Sequence, residues 1–161
     1  MRTEDKTNTE RLARRIPGFA GYRAVHASGA DWLLRRFLSA EVEKVRDRLA
    51  ELIAGGEFSP ELKDKMGLSL RAVAFLKDEL TPGRREERRE EEPLRPAEEE
   101  RLLDLDIALD EKIAALHAPL DAMESATDPE GLNLALAVFD EGLAEVDDLF
   151  RMRSMVFRRE K

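Results

Sequence analysis

The side chains in this sequence that could do chemistry are almost all carboxylates and guanidiniums. The 161 residues include no cysteine and only two histidines, His26 and His117, far apart in the chain. Composition therefore excludes thiolate nucleophiles, disulfides and Cys-ligated zinc. Neither histidine stands in H-E-x-x-H, nor in the E-x-x-H pairs by which helical bundles hold di-iron centres. His117, two residues before Pro119, reads as an exposed or hydrogen-bonded side chain. Asp104, Asp106, Asp110 and Glu111 are spaced so that they point around a helix instead of converging, and no D-x-[DN]-x-[DN]-G loop is present. No serine lies in G-x-S-x-G. No metal or other cofactor is expected, and the chain reads as non-catalytic. Asp106 is the exception worth following. Counting by sevens, it shares a register with Ile113 and Leu120, which puts a carboxylate on or beside an apolar stripe. Buried there it requires an arginine, and Arg35, Arg36 and Arg46 are the candidates. At the edge of the stripe it would reach water instead.

The elements that must position these groups read as helices. Residues 1–10 are polar and almost free of large apolar groups, and 1–15 are expected to form a disordered arm, leaving 16–161 as one domain. Ile16-Pro17-Gly18-Phe19-Ala20-Gly21-Tyr22 gathers glycine, proline and aromatics in one place. Pro17 fixes one backbone angle, Gly18 and Gly21 allow positive ones, and Phe19 and Tyr22 offer rings to bury, so this is a candidate structural turn. It matches no phosphate-binding glycine motif. Ser28 or Asp31 caps a first long helix running to about Ala54, with Leu34, Leu38, Val42, Val45, Leu49 and Leu52 in its stripe. Ser59-Pro60-Glu61 starts a second helix that Thr81-Pro82-Gly83 ends. A third begins near Pro96, with a kink or an end expected around Leu116 to Pro119. Asp128-Pro129-Glu130 starts the last, which carries Leu132, Leu136, Phe139, Leu143, Val146, Phe150 and Phe157 in heptad spacing, and Arg153 where another apolar residue is expected. The expected fold is an all-α antiparallel bundle of four main helices. Two hairpins are joined by residues 81–97, a charged stretch read as a mobile linker with Leu94 its only large apolar residue.

Charge narrows the function classes. Charged residues make up 39% of the chain, against roughly 25% in typical domains, and the net charge is -8. That balance argues against nucleic-acid binding. Between Glu98 and Asp148 only Arg101 and Lys112 are basic, while arginines gather at both ends. Basic ends suit an acidic partner face, the chain's own acidic helices or anionic lipid. Val156 and Phe157, set among basic residues, are expected to fold against the Ile16 to Tyr22 turn, the alternative being an exposed sticky end. The first fifteen positions lack the apolar run of a signal peptide, and a cytoplasmic location is expected.

Ile16-Pro17-Gly18-Phe19-Ala20-Gly21-Tyr22-Arg23, followed by Ala30-Asp31-Trp32-Leu33-Leu34-Arg35, resembles an uncharacterised bacterial helical family with a PGY/F-x-GY turn and an A-D-x-L-L-R helix start. Leu105-Asp106-Ile107-Ala108-Leu109 is similar to that family's F-D-L-A-L segment. Arg84 to Glu92 departs from the family, which is Gly/Tyr-rich there. The family carries no assigned activity, so the resemblance implies the helical fold and draws attention to Asp31, Arg35 and Asp106. The expected function is a non-catalytic interaction or scaffold protein presenting helical faces to a protein partner or to itself. One alternative is a small-ligand or metal-binding bundle with Asp31, Arg35 and Asp106 at an internal polar site. A third is a membrane-surface adaptor acting through the basic C-terminal end.

Overall fold

The computed structural model describes residues 7–23, 27–83 and 94–158. Among them the regular structure is helical throughout: α1 (Asn8–Arg15), α2 (Ala27–Gly55), α3 (Pro60–Leu80), α4 (Pro96–Ala115), α5 (His117–Ser125) and α6 (Pro129–Arg158). The expectations for residues 1–6, for His26, for residues 84–93 and for the basic Arg159 and Lys161 lie outside the described residues.

The helix boundaries follow local chemistry. Ser59 Oγ accepts from the Leu62 N–H at 3.3 Å, with Pro60 in the first turn of α3. Asp128 Oδ1 accepts from the Gly131 N–H at 2.7 Å and opens α6. Beyond α2 the Gly56 N–H returns to Leu52 O at 3.1 Å. α4 stops at Ala115 and α5 starts at His117. Pro119 has no N–H to give the carbonyl four residues back, so a continuous helix would lose that bond.

Residues 8–15 depart from the expected disordered arm. Thr7 Oγ1 caps α1 by accepting from the Glu10 N–H at 3.2 Å, and Leu12 is buried. Arg15 bonds both carboxylate oxygens of Asp110 at 2.9 Å and reaches Glu41 at 3.2 Å, its guanidinium lying 5.1 Å from the Phe37 ring centroid. One apolar anchor and one arginine fork hold this short helix because acidic α4 lies beside it. The described ends of the expected mobile linker are also built in. Thr81 closes α3 through its N–H to Lys77 O at 2.9 Å, Leu94 is buried, and Pro96 and Ala97 belong to α4.

The core is one cluster drawn from all six helices and from the Ile16 to Tyr22 turn. α2 packs most extensively on α3, and α4 on α6; α5 covers α6, and smaller contacts join α2 to α4 and α3 to α6. Each Leu or Phe buried this way contributes about 1.5–3 kcal/mol. Phe157 is buried, its ring 6.4 Å from that of Tyr22, and Val156 packs on the same core. No helix among the described residues is long and apolar enough to cross a membrane.

Candidate functional site

The turn between α1 and α2 needs positive backbone angles, and Gly18 (φ 84°) and Gly21 (φ 90°) supply them. Pro17 stands exposed just after the extended C-cap Ile16, where a proline cannot prolong the helix. Phe19 and Tyr22 are buried with rings edge-to-face, centroids 5.7 Å apart. A carboxylate of α4 then locks the turn. Glu99 Oε2 accepts from the backbone N–H groups of both Tyr22 and Arg23 at 2.8 Å. Seven residues on, along the same face of α4, stands Asp106.

Asp106 is fully buried, and its partner comes from α6. Arg153 Nε donates to Asp106 Oδ1 at 2.6 Å, Arg153 Nη2 donates to the Tyr22 hydroxyl at 2.9 Å, and that hydroxyl donates to Asp106 Oδ2. The candidates Arg35, Arg36 and Arg46 are not its partners. Arg36 lies over the Trp32 ring at 5.0 Å, Arg46 reaches Glu43 at 3.4 Å, and Arg35 serves α3. Position along separate helices decides this: Asp106 of α4 meets the register of Arg153 on the helix α4 packs against most.

Asp31 and Arg35, one turn apart on α2, complete the cluster. Asp31 Oδ1 lies 2.7 Å from Arg153 Nη1, and Asp31 Oδ2 lies 3.9 Å from Arg35 Nη1. The Asp31 contact is close but poorly aligned, leaving Oδ1 an ion-pair partner without a hydrogen bond. Arg35 donates from Nε to Leu80 O at 3.1 Å and from Nη2 to Glu79 O at 2.6 Å, which caps the carbonyl end of α3. Phe150 lies 5.5 Å beneath Arg35, and Phe157 lies 5.5 Å from Arg153. Two carboxylates thus face two guanidiniums in an aromatic cage, and each nitrogen of Arg153 is engaged.

The electrostatics follow from burial. Desolvation holds the Asp106 carboxyl above its ordinary range, against the pull of Arg153 and of the Tyr22 hydrogen bond. Burial pushes the Tyr22 phenol well up, with Arg153 opposing and Asp106 reinforcing, so it stays a donor. Burial alone would pull the Arg153 guanidinium down, but Tyr22, Asp106 and Asp31 outweigh it. A cluster so balanced binds helices to one another. The three expected residues Asp31, Arg35 and Asp106 do come together, while Arg153, Tyr22 and Glu99 complete a network that pairwise spacing did not reveal. Arg153 on an apolar heptad position was the available signal.

Two other sites bear on function. Arg48 of α2 meets His117 Nδ1 at 3.0 Å, Asp121 at 2.6 Å and Glu124 at 2.8 Å, tying α5 to α2 and making His117 hydrogen-bonded. Among the described residues no group of three or more histidines and carboxylates is placed to hold a metal ion. On the outer side of α3 and α6 an open groove of about 560 Å³ runs over Leu76, Leu136 and Leu143. Leu68 and Phe75 stand on its α3 wall, 61% and 67% exposed. Ser69 donates to Asp140 Oδ1 at 2.6 Å across its floor. No protein-family model, no curated protein and no solved structure matches the chain.

Proposed function

We propose that this chain is a non-catalytic helical scaffold of the cytoplasm that holds a protein partner on the outer face formed by α3 and α6. In this reading the four long helices form an antiparallel bundle of two hairpins, and the chain is a member of the helical family that its turn and helix start resemble. One observation carries the function. Leu68 and Phe75 are more than half exposed along the α3 wall of an apolar-floored groove, and large side chains left bare beside a concave surface mark docking sites. The polar cluster supports the same division of labour. Its charges are matched, its phenol stays protonated, and Arg153 has every nitrogen engaged, so it serves as a structural staple. Burial of Phe157 also weighs against a membrane-surface role that would draw on that residue.

The test is site-specific photocrosslinking in the native cell, with a benzophenone side chain in place of Phe75 or, as a control on exposed α4, of Glu111. A discrete protein adduct from position 75 and none from position 111 is expected. No adduct from position 75 would overturn the reading.

A further inference from the structure

The docking reading leaves the partner's chemistry open, and the charges around the groove decide it. Lys65 stands at one end, its Nζ 3.4 Å from Asn133 Oδ1. At the other end Glu79 and Asp147 face each other across the gap between α3 and α6. Asp140 lines the middle, and Glu61 continues the α3 row four residues before Lys65. Among the described residues the cation paired with a carboxylate side chain at the acidic end is Arg151, 2.9 Å from Asp147 and itself largely exposed. Burial, then the repulsion of Asp147, holds the Glu79 carboxyl above its ordinary range. An incoming cation at that end would relieve two crowded carboxylates at once.

Shape points the same way. The lining positions run from Lys65 to Glu79 on α3, a span of about 21 Å at the helical rise, or roughly fourteen residues of an accompanying helix. Ala72, Ala137 and Ala144 leave room for a backbone to approach between the bulkier Leu68 and Phe75. From this we infer that the groove takes a basic amphipathic helix of a partner protein. Its apolar stripe lies on Leu76, Leu136 and Leu143, and its lysine or arginine side chains sit over Glu79 and Asp147. A second copy of this chain fits less well: parallel face-to-face docking brings Glu79 and Asp147 onto their own copies, and the antiparallel alignment offers them Lys65 alone among the groove-lining cations. Anionic lipid is repelled by the same charges.

The inference rests on the docking reading, and the test separates the two. A fluorescein-labelled fourteen-residue helical peptide is prepared with leucine at i, i+3, i+4 and i+7 and lysine or arginine elsewhere, alongside a version with glutamate in place of the basic residues. Each is titrated by anisotropy against the full chain and against Phe75→Ser, Glu79→Lys with Asp147→Lys, and the off-groove Glu111→Lys, all checked for helicity. The basic peptide is expected to bind, to weaken tenfold or more in both groove variants and with added salt, and to be unchanged by Glu111→Lys. Equal binding of both peptides, weakened by Phe75→Ser, would overturn the charge assignment while docking stands. Absence of binding, or binding indifferent to Phe75→Ser, would overturn both. A concentration-dependent dimer abolished by Phe75→Ser would assign the groove to a second copy and overturn the basic helix.

Discussion

Arg153 Nε lies 2.6 Å from Asp106 Oδ1, with both side chains shut off from solvent, and this contact joins the last long helix to α4. The same guanidinium reaches Asp31 and Tyr22, so a single side chain ties α2, α4, α6 and the entry turn together.

Removing it alone should therefore be severe. Arg153→Met leaves Asp106 and Asp31 buried without their cation, and breaking one side of such a pair costs about 3–5 kcal/mol. Tyr22→Phe removes a hydrogen bond but no charge and should cost about 1–3 kcal/mol. Urea unfolding followed by circular dichroism is expected to rank them in that order.

Asp106 gives this cluster an unusual pH response. Its folded carboxyl titrates above its unfolded value because burial outweighs Arg153. Between those values the folded chain holds a proton that the unfolded chain has released, so the group's contribution is fully present at acid pH and is lost as pH rises through the folded pKa. The unfolding free energy of the wild type minus that of Asp106→Asn, measured from about pH 3 to about pH 7 across the carboxylate range, should fall as pH rises. A difference that grows with pH would show an ordinary paired carboxylate.

Arg35 acts on α3 through its fork. A lysine keeps the charge but cannot bond the Glu79 and Leu80 carbonyls in the same geometry. Arg35→Lys should cost about 1.5–3 kcal/mol, the worth of a hydrogen bond to a charged group. Hydrogen exchange should quicken first in the last turn of α3.

Much of this architecture was legible and some was not, for physical reasons. α3 begins where Ser59-Pro60-Glu61 implies, and the break before α5 falls where Pro119 requires it, because caps and missing amides act locally. α1 has no apolar stripe to announce it, because its hold is a tertiary fork from Arg15 to Asp110. Asp106 stands out as a carboxylate on a stripe, but its partner on α6 does not, since nothing local sets how α4 and α6 slide past each other. The groove was invisible for the same reason. Leu68 and Phe75 lie off the stripe of α3, and only the spacing of α3 and α6 shows that they border a hollow.

The entry turn should be sensitive to its glycines. Gly21 has φ 90°, and an added methyl would also come within 3.3 Å of Glu99 Oε2. Gly21→Ala should cost about 1–3 kcal/mol. Gly67, inside α3 with nothing near its absent side chain, should behave oppositely, Gly67→Ala adding about 0.5–1 kcal/mol. Thermal unfolding of both variants checks the contrast.

The central claim is that the polar cluster holds the helices while the α3 and α6 face does the binding. Its most direct test replaces the Asp106 and Arg153 pair and its phenol with apolar groups, combining Tyr22→Phe, Asp106→Leu and Arg153→Met while Asp31 and Arg35 keep each other, and measures unfolding free energy together with photocrosslinking from position 75. Swapping a buried ionic group for packed apolar side chains is often neutral or stabilising by about 1–4 kcal/mol. The account predicts a folded chain of wild-type stability or better that still forms the position-75 adduct. A folded variant that no longer forms the adduct would contradict it and make the cluster part of the working site.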